Sequence, residues 1–105
     1  MSSNIMPKLS CFITVFNKAP WLAETIESIQ ASSFKDFELI IIDDGSTDSS
    51  PILCEFYAKQ DPRVVYVRHT DNKGCSVRNN EAHRLARAPI IVVMGADDIM
   101  TPDRL

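Results

Sequence analysis

Short apolar runs divide the chain at regular intervals. Continuous stretches rich in β-branched and aromatic residues cover residues 8–16, 37–42, 63–68 and 89–94 and predict four strands. The second run has no polar alternation, which indicates cover on both faces of the sheet.

Amphipathic segments lie between these runs and predict helices. Apolar residues recur at helical spacing over residues 20–31 and 76–87. They also do so in a segment after residues 48–50, which offer N-caps. Pro20 and Pro51 suit the first turns of two of these helices. "TPDRL" at residues 101–105 predicts the first turn of another helix. The predicted buried faces are Leu22, Ile26 and Ile29, then Ile52, Leu53, Phe56 and Tyr57, then Val77, Ala82 and Leu85.

Strand and helix alternate throughout, which predicts an α/β fold with a Rossmann-like parallel sheet and helices on both faces. Right-handed crossovers fix the hand of each unit. The expected strand order is 3-2-1-4, in which the chain reverses direction between strands one and four, and residues 1–105 are expected to form a single domain. Ligands of such sheets bind at the carboxyl ends of the strands, near the point where the strand order reverses. Strands one, two and four end in "TVFN", "DDGS" and "GADD", so these endings are predicted to meet.

Composition narrows the functional classes. The 105 residues are 45% hydrophobic and 24% charged, an ordinary globular composition, and the net charge of −3 argues against nucleic-acid binding through a basic surface. No apolar run approaches the ~20 residues of a membrane span, so a cytoplasmic protein is expected. Cys11, Cys54 and Cys75 lack paired spacing, which argues against zinc and disulfides, and the first two are expected to be buried.

Two acidic pairs, Asp43 with Asp44 and Asp97 with Asp98, follow predicted strands. Two unit charges about 4 Å apart at an effective dielectric near 20 repel by roughly 4 kcal/mol, so converging carboxylates either have raised pKa values or surround a cation. Oxygen ligands of this kind suit Mg²⁺ or Mn²⁺, with a diphosphate in the remaining positions. Turn and helix-cap chemistry is the alternative interpretation, and it is preferred for Asp48.

The sequence contains no glycine-rich loop that could bind the phosphates, so side chains and the metal must hold them. Gly45, Gly74 and Gly95 are the three glycines, and they form neither a G-x-G-x-x-G fingerprint nor a Walker A loop. Arg78, near the start of the third helix, is the candidate to pair with phosphate or to order the acidic loop, and a solvated arginine is the alternative. His69 and His83 have no metal-ligand companion at a fixed spacing and are expected at the surface.

Residues 8–105 resemble the N-terminal half of the family 2 inverting glycosyltransferases, which have the glycosyltransferase A fold. The resemblance rests on "ITVFNKAPWLAETIESIQASSFKDFELIIIDDGSTDSS", "DPRVVYVRHTDNKGCSVRNNEAHRLARAPIIVVMGADD" and "TPDRL", in that order. It implies transfer of a sugar, with inversion, from a nucleotide-diphospho-sugar, most often a UDP-sugar, held with Mg²⁺ or Mn²⁺. The acceptor is an unknown glycan or lipid-linked molecule.

The resemblance also implies roles for individual residues. Thr14 and Phe16 correspond to residues that line the base pocket after strand one. Asp44 corresponds to the carboxylate that accepts a hydrogen bond from the base, with Asp43 beside it. Arg78 corresponds to an arginine that lies over the base.

The resemblance also implies roles for the last two residues of the acidic motif "GADD". Asp97 is directed toward the ribose, and Asp98 is directed toward the metal. Gly95 stands where the family often has a further aspartate, which implies looser metal binding before the donor arrives. Phe16 stands where the family often has tyrosine, so stacking remains without the hydroxyl.

No catalytic residue can be assigned, because the family's catalytic base belongs to the acceptor-binding half, beyond Leu105. The chain is therefore interpreted as a truncation that is inactive alone. The full-length enzyme is expected in the cytoplasm, and its association with the inner face of a membrane is left open. Strand four lies at a sheet edge, which predicts a homodimer through that edge or aggregation.

A non-catalytic nucleotide-sugar-binding module is the alternative function, and an acidic base in an adjoining segment would favour the enzyme. A phosphoacceptor receiver domain is disfavoured, because its acidic pair would follow strand one.

Overall fold

The computed structural model describes residues 7–32 and 35–95. Its elements in chain order are β1 (Leu9–Val15), α1 (Ala19–Gln30), β2 (Phe37–Asp44), α2 (Ser50–Gln60), β3 (Val64–His69), α3 (Cys75–Leu85) and β4 (Ile90–Gly95). The four predicted strands and three predicted helices are confirmed, with ends shifted by at most about two residues. The further helix predicted at "TPDRL" lies outside the described residues.

The four strands form one parallel sheet in the order β3-β2-β1-β4, so the predicted fold class and strand order are confirmed. β2 is buried at every position, because it lies inside the sheet and is covered on both faces. At the carboxyl edge, Thr14 lies between Ile42 and Gly95, and Asp44 pairs with His69. Among the described residues no helix is both apolar enough and long enough to cross a bilayer.

Helices cover both faces of the sheet. α1 and α2 pack on one face against alternate residues of β1 and β2, including Ile13, Leu39 and Ile41. α3 packs on the opposite face through Ala82, against Phe12, Ile40 and Ile42. Side chains of a strand alternate between faces, so Asp43 belongs to the α1–α2 side and Asp44 to the α3 side.

The predicted inner face is right for α1 and wrong for much of α2. Leu22, Ile26 and Ile29 are completely buried, whereas Ile52 is 70% exposed and Phe56 52% exposed. The buried stripe of α2 contains Ser50, Pro51, Cys54 and Tyr57. Ile52 and Phe56 lie beside that stripe, because each residue turns the helix by about 100°. Apolar character alone assigned Ile52 and Phe56 to the inner face, whereas the structure buries the adjacent stripe that contains Cys54, whose burial was predicted.

The predicted inner face of α3 is also partly wrong. Ala82 is buried, but Val77 is 45% and Leu85 41% exposed. Arg78 occupies the buried position one turn before Ala82 instead of an apolar residue. Val77 is one position away from this stripe, and Leu85 is the last residue of α3.

A buried carboxylate holds the amino ends of the strands together. Glu38 accepts hydrogen bonds from the Ser10 hydroxyl at 2.6 Å and from the Arg87 backbone N–H at 2.7 Å. Ser10 in turn accepts from the Ala88 N–H at 3.1 Å. Burial alone would raise the pKa of Glu38, but these donors and the Arg87 guanidinium outweigh it and lower the pKa. This network ties the entry of β4 to β1 and β2.

Candidate functional site

The carboxyl ends of β1, β2 and β4 lie side by side, as the predicted strand order requires. Val15 pairs with Asp43 across β1 and β2, and Thr14 pairs with Gly95 across β1 and β4. Asp43 and Asp44 are the last two residues of β2 rather than loop residues. Asp97 and Asp98 lie outside the described residues, and their predicted convergence on this edge stays a prediction.

Asp43 is completely buried beneath the carboxyl edge. Its Oδ1 accepts from the Ser46 N–H at 2.9 Å, and its Oδ2 accepts from the Tyr66 hydroxyl at 3.2 Å. Burial, followed by the charge of Asp43, raises the pKa of Tyr66, so this hydroxyl stays a donor. Asp43 therefore supports the loop between β2 and α2 from below, and its carboxylate is closed to solvent in this conformation.

Asp44 and Arg78 form a buried ion pair on the α3 side. The Arg78 Nε lies 2.7 Å from the Asp44 Oδ1, and the side chains are only 4% and 6% exposed, respectively. Asp44 also accepts from the Lys73 and Gly74 N–H groups at 2.8 and 2.9 Å and from the Asn72 side-chain amide at 3.1 Å. Four donors from the chain therefore converge on this one carboxylate.

The electrostatics of this pair follow from the competition between burial and hydrogen bonding. Burial raises the pKa of Asp44, but the Lys73 N–H, the Arg78 guanidinium and the Gly74 N–H together outweigh it and lower the pKa. Asp44 is consequently ionised at neutral pH. The open alternative for Arg78 is resolved by this geometry: it is a buried arginine that orders the acidic edge, not a solvated one.

The loop between β3 and α3 closes tightly over the end of β2. Arg78 Nη2 donates to the Asp71 carbonyl oxygen at 2.8 Å and to its carboxylate at 3.1 Å. Gly45 has a positive φ of 79°, and a Cβ added there would lie 2.7 Å from the Asp71 carbonyl carbon. Glycine is required at this position for both reasons, since the loop packs directly on its Cα.

Asn17 joins the first two crossover loops. Its Oδ1 accepts from the Thr47 N–H at 2.7 Å and the Asp48 N–H at 3.2 Å, and its own N–H donates to Ser46 Oγ at 3.0 Å. Asn17 has a φ of 54°, a left-handed conformation that asparagine adopts more readily than most residues. The β1–α1 loop and the β2–α2 loop therefore form one connected rim.

Asp48 completes this rim at the start of two helices. Its Oδ1 accepts from the Ser50 N–H at 2.9 Å at the start of α2, and its Oδ2 accepts from the Ala19 N–H at 3.2 Å at the start of α1. The N-cap of α2 is Ser49, so Asp48 lies one residue before the cap, and its carboxylate stabilises the first N–H group of both helices. Carboxylates are favoured at helix N-termini by the N–H groups and the helix dipole.

The two residues predicted to line a base pocket differ in exposure. Thr14 is half-buried in β1, and Phe16, directly after β1, is 45% exposed. An aromatic ring with nearly half its surface open at the carboxyl edge can stack on a planar ligand. Thr14, Phe16, Asp43, Asp44 and Arg78 thus gather at one edge of the sheet, although the two carboxylates are occupied by donors of the chain.

The two histidines and two of the cysteines pack against other parts of the fold, and His69 does so at the carboxyl end of β3. His69 is half-buried, with its Nε2 2.7 Å from Glu81, which corrects the surface prediction; His83 is exposed and packs edge-on against Phe12. Cys11 and Cys54 are buried, as predicted. Burial raises the pKa of the Cys54 thiol to about 12, which makes it a poor nucleophile.

Sequence reasoning missed three residues that shape the site, Asn17, Tyr66 and Asn72. Asn17 is the last residue of the predicted ending "TVFN", but its bonds to the next loop are not predicted; asparagine just after a strand is often found at positive φ, and that signal could have found it. Tyr66 was assigned to a strand without a partner for its hydroxyl. Asn72 lies in a polar loop, and no local signal connects it to Asp44, which is 28 residues earlier.

Comparison with known proteins identifies the family of this chain. Residues 10–105 match the description "Glycosyl transferase family 2". The chain belongs to glycosyltransferase family 2. The resemblance inferred from the sequence motifs is therefore confirmed. This family 2 chain is 33% identical over 97 residues to the putative glycosyltransferase EpsH of Bacillus subtilis and 33% identical over 93 residues to glycosyltransferase GlyG of Streptococcus pneumoniae.

Solved structures show the same fold. The mannosyltransferase PcManGT from Pyrobaculum calidifontis, in complex with GDP-Man and Mn²⁺, superimposes with a TM-score of 0.81 at 25% identity over 91% of this chain. S. aureus TarS 1-349 in complex with UDP-GlcNAc superimposes with a TM-score of 0.84 at 22% identity over 90% of this chain. These likenesses confirm the predicted glycosyltransferase A fold.

The family 2 chain is short relative to these proteins. It spans 28% of the length of EpsH and 31% of GlyG, covering 92% and 88% of its own residues, respectively. It spans 29% of the PcManGT chain and 28% of the TarS chain.

Proposed function

We propose that this chain is the donor-binding region of an inverting glycosyltransferase that uses a nucleotide-diphospho-sugar, a UDP-sugar in the first instance. The observation that carries the proposal is the gathering of Thr14, Phe16, Asp44 and Arg78 at the carboxyl edge of a family 2 chain. This edge is where parallel α/β sheets bind nucleotides. A binding module without transfer activity would use the same edge and differ only in lacking a base.

The base of the nucleotide is proposed to bind between the ends of β1 and β2. The exposed ring of Phe16 stacks on the base, and Thr14 lines the pocket from β1. Asp44, ionised at neutral pH, accepts a hydrogen bond from the base edge, and Arg78 orients Asp44 and adjoins the base. Asp43 contributes from below by holding the β2–α2 loop.

A divalent cation, Mg²⁺ or Mn²⁺, is proposed to accompany the donor diphosphate, with Asp98 as ligand and Asp97 directed to the ribose. Within residues 7–32 and 35–95, no group of three His, Cys, Asp or Glu side chains is placed to hold a metal. Asp43 and Asp44 are unsuited to that role, because the chain already donates hydrogen bonds to each of their oxygens. Bound at Asp98, the cation would neutralise the charge of the leaving diphosphate.

Residues outside these 105 are proposed to supply the rest of the enzyme. Inversion needs a carboxylate that deprotonates the acceptor hydroxyl, and we assign that base to a further segment, together with the site for a glycan or lipid-linked acceptor. The chain alone is therefore inactive in transfer. The full-length enzyme is proposed to work in the cytoplasm, at the inner face of a membrane.

A homodimer through β4 is proposed for the chain alone. β4 lies at one edge of the sheet that the described residues form, and Ile90 and Val93 in it are 57% and 49% exposed. An edge strand offers unpaired N–H and C=O groups to another strand. Apolar side chains on that edge favour pairing with a second copy.

Calorimetry and thermal unfolding with nucleoside diphosphates test the donor proposal. UDP with Mn²⁺ should raise the melting temperature, because a ligand at 100 times its Kd stabilises the native state by about 2.7 kcal/mol. The Asp98→Asn variant should lose the metal-dependent part of this shift, while the Glu24→Gln variant, which changes an exposed carboxylate of α1, should keep it. Equal UDP binding in chelator would contradict the metal bridge, and no binding of any nucleoside diphosphate would contradict the donor site.

A further inference from the structure

All the hydrogen-bond acceptor positions of Asp44, the carboxylate proposed to recognise the base, are occupied by donors of the chain. An ionised carboxylate offers about four lone-pair sites. Oδ1 accepts from the Lys73 N–H and Arg78 Nε, and Oδ2 accepts from the Gly74 N–H and Asn72 Nδ2. With only 4% of Asp44 exposed, a base can reach it only by replacing one of these donors.

Three of the four donors are poorly placed to leave. The Lys73 and Gly74 donors are backbone N–H groups fixed by the loop that Arg78 anchors at Asp71. Arg78 is a buried cation, so its departure would leave two buried charges unpaired. Each of these replacements would require the loop to open.

Asn72 is the donor that can leave without opening the loop. It is an exposed residue, and its bond to Asp44 Oδ2 comes from a side-chain amide on rotatable bonds. The amide nitrogen also donates to the Asp44 carbonyl oxygen at 3.1 Å. Both partners are acceptors, which assigns the nitrogen rather than the oxygen of the amide to this position. Among the four donors it is the one that belongs to an exposed side chain.

We propose that the Asn72 side-chain amide occupies, in the free chain, the position on Asp44 that an N–H group of the nucleotide base takes when the donor binds. This inference rests on the proposed donor site. Rotation of Asn72 away from Oδ2 exposes an acceptor whose orientation the other three donors maintain. Asn72 is thus a specificity-determining residue, because only a ligand that donates an N–H at that point compensates for the bond it displaces.

Replacement of the Asn72 amide by an N–H group of the base limits which bases can bind. Uracil carries an imide N–H at N3 and guanine carries a lactam N–H at N1, and each can donate to a carboxylate oxygen as the Asn72 amide does. A methyl group on that nitrogen removes the donor and leaves the stacking surface and the diphosphate unchanged. UDP with 3-methyl-UDP, and GDP with 1-methyl-GDP, are therefore matched probes.

The test compares the chain with its Asn72→Ala variant by calorimetry in Mn²⁺. Removing the competing donor should raise the affinity for UDP or GDP by about fivefold to tenfold, the scale of one hydrogen bond. The affinity for the methylated partner should not change, because that ligand never uses the vacated position. Asn80→Ala is the control variant, since it removes the same side chain from an exposed position of α3 that does not contribute to the donor set of Asp44.

Two other outcomes would contradict the proposal that the base replaces the Asn72 amide on Asp44. An equal change for the methylated and unmethylated ligands would mean that Asn72 only stabilises the loop, and no change for either would mean that it does not compete. Failure of every nucleoside diphosphate to bind either protein would remove the donor site itself, which is a different result.

A measurement on the unmodified chain covers the case of an unstable variant. The NMR signals of the Asn72 side-chain amide should show slow solvent exchange in the free chain and fast exchange with nucleotide bound, while the Lys73 and Gly74 N–H groups stay protected. Unaltered protection of the Asn72 amide in the complex would overturn the proposal.

Discussion

Replacing Arg78 with methionine tests whether the buried ion pair organises the acidic edge. Methionine keeps much of the length and apolar volume of arginine but removes the cation. Asp44 would keep the Lys73, Gly74 and Asn72 donors and lose its charged partner at 2.7 Å. The loop would also lose both hydrogen bonds from Arg78 to Asp71.

The expected cost follows from the burial of the pair. Removing one partner of a buried ion pair typically costs about 3–5 kcal/mol, and the three remaining donors place this variant near 3 kcal/mol. Domains of this size are stable by about 5–15 kcal/mol, so the loss is a large share of the total. With a urea slope of roughly 1–3 kcal/mol/M, the unfolding midpoint should fall by about 1–3 M.

Urea unfolding followed by far-ultraviolet circular dichroism measures this change. Arg84→Met is the matched control, because Arg84 is an exposed residue of the same helix, and it should change the free energy of unfolding by no more than about 0.5 kcal/mol. The loss of unfolding free energy caused by Arg78→Met should be smaller in the Asp44→Asn background, because no unpaired carboxylate charge then remains buried. An Arg78→Met loss equal to that of the control would refute the account of Arg78 as an internal partner.

Four further outcomes are expected. Glu38→Ala should lower the free energy of unfolding by about 1–3 kcal/mol, because buried donors lose their acceptor, while Glu24→Ala on the exposed face of α1 should have little effect in the same urea assay. Acidification should destabilise the chain below about pH 4, since Asp44 has a lowered pKa and contributes stability above its unfolded pKa that is lost as the pH falls; a shallower acid profile is expected in Arg78→Met. Cys54 should react with iodoacetamide only in urea, as mapped by mass spectrometry, and modification of the native chain at pH 8 would contradict its raised pKa of about 12. Light scattering over a range of concentrations should show dimers or larger species formed through β4, and a stable monomer at high concentration would exclude edge pairing.

The sequence by itself determined the succession of elements and predicted the sheet order. Apolar runs separated by capped amphipathic segments are local signals for a doubly wound parallel sheet, and right-handed crossovers fix the hand of each unit. The order β3-β2-β1-β4 was expected as an order common to such sheets, and the structure confirms it. The run "ELIII" was sufficient to predict that β2 is covered on both faces of the sheet, because a strand that is apolar at successive positions needs such cover. Ordered motifs were also sufficient to indicate the family.

Helix faces were decided only by tertiary packing. A helical wheel identifies apolar side chains but not which neighbouring position meets the sheet, so Ile52 and Phe56 are exposed while Cys54 is buried. On α3 the buried position went to Arg78, because a charge on β2 was available to pair with it. Local periodicity contains no information about that partner.

Tertiary structure likewise decided what each acidic residue does. The sequence placed Asp43 and Asp44 at the end of one strand and predicted two like charges side by side. Alternation along β2 sends them to opposite faces, where Asp43 meets Tyr66 and Asp44 meets Arg78. These partners are 23 and 34 residues away along the chain, and only the packing of β3 and α3 against β2 brings their donors within hydrogen-bond distance.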